Sequence, residues 1–195
     1  MARRDKYRNF AELSQHEVEG RDYQIRTAPV EGAEVAILAP HGGKIEFLTS
    51  DLARSIAGPD HNCYAFEGIK RNSNGDLHVT SSNFDEPTAL ELVAGCGVVV
   101  TVHGLDGDAT EVQVGGRDAI LGKRIDRNLR EAGFDSRVEA AGRFAGTDPD
   151  NICNRGVSGA GAQIEIKAGL RRALEQDPAR FAAFVNAVRV AIAPD

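Results

Sequence analysis

Residues 34–46 read "EVAILAPHGGKIE". From Val35 to Pro40 every residue is apolar. An unbroken run of this kind marks a strand covered on both faces, as parallel strands are inside α/β sheets. The run then gives way to His41, two glycines and, after Lys44 and Ile45, Glu46. An imidazole, a flexible pair and a carboxylate where a buried strand stops make either a polar turn or half of a metal site.

A second stretch repeats the arrangement. "GVVVTVHG", 97–104, is another fully apolar strand, and it too ends in a histidine, His103. Around these two, "DYQIRTA" (22–28), "CYAFEG" (63–68), "LHVTS" (77–81), "EVQVGG" (111–116), "SRVEAA" (136–141) and "GAQIEI" (161–166) read as strands. Helices are expected over Tyr7 to Glu19 with Phe10, Leu13 and Val18 inward, and over Lys44 to Ala57, stopped by Gly58-Pro59. Others fall over 86–95 and 118–133, and two more over 169–193 join near Asp177-Pro178. Strands alternating with helices predict one α/β domain with a mixed, largely parallel sheet flanked by helices. In such sheets sites form beyond the carboxyl ends of the strands, and that is the edge to which both histidines are delivered.

Composition sets the bounds. At 195 residues, 42% hydrophobic and 27% charged, the chain is an ordinary globular domain with a sizeable core. A net charge of -6 argues against nucleic acid, which calls for a basic surface. No apolar run approaches the ~20 residues of a membrane span. The double arginine at residues 3 and 4 has no apolar stretch behind it, so neither a signal peptide nor a twin-arginine leader is expected. The expectation is cytoplasmic synthesis, with lysis as a route outward. Cys63, Cys96 and Cys153 are far apart and form no CxxC pair. They read as buried thiols in a reducing compartment rather than a zinc module.

Catalytic zinc takes three protein ligands and leaves a position open. His41, Glu46 and His103 would form a His2Glu set. Five residues apart on one helix, His41 and Glu46 would stand ~140° apart and could not share an ion. They can if His41 ends the strand, the glycines make the bend and Glu46 lies on the first helical turn. The plainer alternative is a pair of solvated strand-end histidines and a carboxylate favoured by a helix dipole; the residues alone leave both open. Glu165, between Ile164 and Ile166, is the candidate general base, or else an outward residue of an alternating strand. Arg155, in the glycine-rich loop before it, offers a planar fork for a carboxylate, or is a surface charge.

At this point the chain resembles a known family, the poly-γ-glutamate hydrolases of bacteriophages and bacilli, akin to zinc carboxypeptidases. The resemblance rests on "VEGRDYQI", "ILAPHGGKIE", "TSDLARSIAG", "YAFEGIK", "LHVTSSNFDEP", "VTVHG", "GGRD", "NICNRG" and "GAQIEI", in order through most of the chain. It implies a zinc-carboxypeptidase-like α/β fold, one zinc ion and hydrolysis of γ-glutamyl amide bonds in an anionic polymer. It implies His41, Glu46 and His103 as zinc ligands and Glu165 as catalytic acid/base. Asn154 and Arg155 would bind substrate carboxylates, and His78 would line the cleft, a core histidine being the alternative. Zinc carboxypeptidases space their first two ligands as HxxE; "HGGKIE" is longer and matches the γ-glutamate group. Two rivals stay open: an amidase for another γ-glutamyl or N-acyl-amino-acid bond, and a silent module that binds capsule polymer. The presence of all four polar residues argues against the second.

Overall fold

A seven-stranded sheet runs through the centre of the computed structural model, which describes residues 5–193. Its strands are β1 (Tyr23–Ala28), β2 (Val35–Gly43), β3 (Asn62–Gly68), β4 (Val98–Leu105), β5 (Glu111–Gly115), β6 (Asp135–Val138) and β7 (Ala162–Lys167). Their order is β1-β3-β2-β4-β7-β5-β6. The four inner strands β3, β2, β4 and β7 are parallel, β1 and β5 join them antiparallel, and β6 runs parallel to β5. This is the mixed, largely parallel α/β sheet that the two apolar runs predict.

The helices are α1 (Phe10–Leu13), α2 (Thr49–Ala57), α3 (Pro87–Ala94), α4 (Ala119–Glu131), α5 (Ala168–Gln176) and α6 (Pro178–Ile192). Because strand side chains alternate between faces, β2 and β4 bury apolar residues on both. Ile37, Ala39, Val100 and Val102 face a core closed by α2, α4, α5 and α6. Ala36, Leu38 and Val99 face a second core with Tyr64, Phe66 and residues of α1 and α3. Side-chain caps fix helix starts: Glu86 for α3, Asp118 for α4 and Asp177 for α6 each accept two backbone N–H bonds, and Asn9 for α1 accepts one. The stop signals at Gly58 and Asp177-Pro178 fall where the sequence places them.

Three elements differ from the sequence expectation. The helix over 7–19 shrinks to Phe10–Leu13. Tyr7 and Glu17 are bound to each other instead, Oη donating to Oε1 at 2.7 Å, with Lys70 Nζ 2.7 Å from the same carboxylate. Val18 therefore turns outward and is 49% exposed. The helix expected from Lys44 begins only at Thr49, because residues 44–48 form turns that end on Leu48 at φ +71°. Residues 77–81 are no strand: short 3₁₀ turns at Asn74–Leu77 and Ser81–Asn83 flank them, and Asp5 holds Thr80 by its N–H and hydroxyl, each at 2.7 Å. Cys63, Cys96 and Cys153 are buried free thiols. The Arg3–Arg4 pair lies outside the described residues. Among those described, no helix is long and apolar enough to cross a membrane.

Candidate metal and catalytic site

β2 pairs with β4 only as far as Leu38↔Thr101. It continues along β3 after a register shift between Ala39 and Gly42. His41 sits in that shift, at the carboxyl edge. The glycines after it are required by packing. A Cβ on Gly42 would lie 2.1 Å from Ser50 Oγ, and Gly43, at φ +61°, approaches the Gly68 carbonyl too closely for a side chain. The turn folds back on itself: Glu46 N–H donates to the His41 carbonyl at 2.9 Å. Glu46 thus reaches His41 from a turn, not from the first turn of a helix.

The result is a compact donor cluster. His41 Nδ1 lies 3.1 Å from His103 Nδ1 and 3.3 Å from Glu46 Oε1, and His103 Nδ1 is 3.9 Å from Glu46 Oε2. Four donors at zinc bond lengths of 2.0–2.1 Å in a tetrahedron stand about 3.3 Å apart, so these spacings fit an ion. The surrounding bonds aim the donors. His41 Nε2 is 2.8 Å from the Val79 carbonyl, which can only accept, so in the neutral ring the proton sits there and Nδ1 is the nitrogen left with a lone pair. Gly104 N–H donates to Glu46 Oε2 at 2.7 Å, and Ser81 Oγ lies 3.5 Å from His103 Nε2.

His78 stands at the same cluster. Its ring stacks on His41 with centroids 4.0 Å apart, and its Nε2 is 3.8 Å from Glu46 Oε1. His41, Glu46 and His78 alone also form a group whose donor atoms lie within 4.8 Å. Two donor sets therefore share His41 and Glu46. In one, His103 Nδ1 stands 3.1 Å from His41 Nδ1; in the other, Asp5 engages His78 Nδ1 at 2.7 Å and leaves His78 Nε2 facing Glu46.

The electrostatics set one carboxylate among three imidazoles. Burial pushes the Glu46 carboxyl up, but the facing His41, His103 and His78 outweigh it and hold it at about 2. Burial pulls His41 down, yet the Glu46 charge and hydrogen bond carry it above its usual value. His103 is depressed to about 3, by burial first and by the charge of His41 second. His78 is lowered by His41 and then by burial.

Glu165, on β7, is paired in register with His103 and buried. Burial and then the Glu46 charge push it up to about 8, against His41, Arg143 and Arg171. A carboxyl held near neutrality is suited to carrying a proton in either direction. All five of these side chains line one cleft of about 670 Å³.

Two expected residues lie elsewhere. Asn154 is buried behind the cleft with its amide fully engaged. Its Oδ1 accepts from Arg117 N and Gly161 N at 3.2 and 3.1 Å, and its Nδ2 donates to the Gly146 and Asp148 carbonyls at 2.8 and 2.7 Å. No hydrogen-bonding capacity is left for a ligand, so the expected role in substrate binding gives way to a clamp on loops. Arg155 opens into a separate depression beside Arg8, Asn83 and Asp85, with Nη1 3.8 Å from Asp150. The cations at the cleft are instead Arg143, Lys167 and Arg171. Arg171 is buried and spends its N–H groups on the carbonyls of Ile166, Leu105 and Phe47. No local pattern marks Arg143. Gln163 could have been found, since it stands two residues before Glu165 on the same strand face.

Fold and cluster together define a class: an α/β protein with a buried His–Glu donor set at the carboxyl edge of parallel strands, beside a carboxyl of raised pKa. A family model for poly-gamma-glutamate hydrolase matches residues 7–182, and the chain belongs to that family. The solved bacteriophage poly-gamma-glutamate hydrolase superposes with a TM-score of 0.91 at 32% identity, covering 96% of both chains. A zinc-free apo form of YndL superposes with a TM-score of 0.90 at 34% identity, over 97% of this chain and 98% of that one. The SPbeta prophage-derived UPF0714 protein YoqZ of Bacillus subtilis (strain 168) is 40% identical over 86% of this chain, which spans 61% of YoqZ's length.

Proposed function

We propose that this protein is a zinc-dependent hydrolase of γ-glutamyl amide bonds in poly-γ-glutamate. The observation that carries the reading is the convergence of His41 Nδ1, His103 Nδ1 and the Glu46 carboxylate, 3.1–3.9 Å apart, in the cleft that also holds Glu165. Family membership supports the substrate, and a relative solved in a zinc-free form is in keeping with zinc. His41, Glu46 and His103 would hold the ion. Bound there, it would supply Lewis acidity, polarising a carbonyl and making water a stronger nucleophile at neutral pH.

The chain's own groups account for the rest. As water attacks the γ-carbonyl carbon, Glu165 takes a proton from it. When the C–N bond breaks, Glu165 returns that proton to the leaving amine. Burial raises the pKa of the Glu165 carboxyl and so favours keeping the proton on it between the two steps. Arg143 and Lys167 meet the free α-carboxylates of the polymer. His78, tied to Asp5, backs His41 and lines the entrance.

The test is to incubate the purified protein with high-mass poly-γ-glutamate, with and without a chelator, and to follow chain length. Shortening that stops with chelator and returns with zinc is expected. An intact polymer under all conditions would sink the reading. Cleavage of γ-glutamyl dipeptides as fast as polymer would favour an amidase for small substrates.

A further inference from the structure

Glu165 is held by a neighbour on its own strand. Gln163 lies two residues earlier, on the same face of β7, and is buried. Its Nε2 donates to Glu165 Oε1 at 3.1 Å and to the Phe144 carbonyl at 2.9 Å. Its Oε1 accepts from Asn151 Nδ2 at 2.8 Å. These contacts fix which end of the amide is which: the nitrogen faces two acceptors and the oxygen faces a donor. Gly146 closes the arrangement. It sits at φ +62°, and a Cβ there would lie 2.5 Å from the Gln163 amide, so the loop packs directly on the glutamine.

We propose that Gln163 is a positioning residue for Glu165: its amide N–H holds Oε1 and leaves Oε2 as the oxygen that exchanges protons in the cleft. A carboxylate on a flexible side chain can rotate, presenting either oxygen in many directions. A donor that cannot itself accept at that nitrogen pins one oxygen as an acceptor, so the proton is carried on the other. The anchors Phe144 and Asn151 belong to the loop that forms one wall of the cleft, so the orientation of Glu165 is tied to the placement of that wall. This inference rests on Glu165 acting as the acid/base, and its test keeps the two apart.

The first measurement needs no substrate. With ¹³C-labelled glutamate, the Glu165 carboxyl resonance, assigned by its loss in Glu165→Gln, is compared at fixed pH between the wild type and Gln163→Met, each loaded with zinc. Gln163→Met keeps the volume and removes the donor. A shift in that resonance is expected; an unchanged resonance overturns the proposal whatever the substrate proves to be. The second measurement is a double-mutant cycle on turnover of poly-γ-glutamate. Gln163→Met alone should lower kcat by roughly 10–100-fold, the scale of losing a positioned group, with KM within about 3-fold. In the Glu165→Gln background it should cost less than about 3-fold, because the two residues act as one unit. Equal losses in both backgrounds, or a rise in KM with kcat retained, would overturn the positioning role. If Gln163→Met does not fold, Gln163→Leu removes the donor without adding a charge and goes through the same measurements with the same reading. A wild type that leaves the polymer intact refutes the proposed function and leaves the resonance to decide this inference.

Discussion

Replacing Asn154 with alanine should destabilise the protein without touching the chemistry. The side chain is 3% exposed and makes four hydrogen bonds to backbone, two accepted from Arg117 and Gly161 and two donated to Gly146 and Asp148, besides a weak one accepted from the Cys153 thiol. A net value of about 1 kcal/mol per bond gives about 4 kcal/mol. Three of the bonds are only partly buried, so water can replace some of them, and about 3 kcal/mol is the expected loss. For a domain of this size that corresponds to a fall in Tm of roughly 6–12 °C. The assay is urea denaturation with thermal melts alongside; the midpoint should fall while the slope m stays the same. Asn154→Asp should be no better, because it sets a carboxylate oxygen against two carbonyls. A loss below about 1 kcal/mol together with a raised KM would refute the clamp and return Asn154 to the substrate.

Four further outcomes are expected. Glu165→Gln should keep the zinc content and lose roughly 10²–10⁴-fold in kcat, the usual weight of general acid–base assistance; activity within a few-fold of wild type would remove it from the mechanism. His103→Ala should abolish most zinc binding measured by elemental analysis, whereas His78→Ala should retain it, since His103 Nδ1 stands 3.1 Å from His41 Nδ1 in the donor set; the reverse result would exchange the two ligands. Arg143→Ala should raise KM for the polymer several-fold, while Arg155→Ala, outside the cleft, should leave steady-state kinetics unchanged. Asp22, held near 2 by the Arg21 guanidinium and the Val18 N–H, stabilises the fold above its ordinary pKa of 3.8, and that contribution disappears as pH falls toward 2; Asp22→Asn should lower Tm at neutral pH and flatten its decline between about pH 4 and 2.

The class of fold and its two central strands can be read from residue pattern alone. The runs at 35–40 and 98–102, apolar but for Thr101, have the pattern of inner parallel strands, which release the chain at one edge, so His41 and His103 read as neighbours from the chain alone. The strand side chains of β7 were legible in the same way, because alternation sets Glu165 apart from Ile164 and Ile166. Local pattern misjudged what long-range contacts decide. Lys44 to Leu48 has the composition to begin a helix, but the Gly68 carbonyl takes the Lys44 N–H and the turn closes on His41 instead. The segment around His78 alternates like a strand, yet Asp5, 73 residues away in sequence, binds its imidazole and fixes Thr80 beside it. Asn154 and Arg155 are adjacent in a loop, and nothing in their order says that one faces inward to clamp four backbone groups while the other leaves the cleft altogether. Which cations meet the cleft was likewise decided by tertiary structure. Arg143 comes from a loop with no pattern of its own, and the loop's position is set by Gln163 and Asn154 on or near another strand. Periodicity reports which face of an element is buried; it carries no information about which distant loop folds over that face.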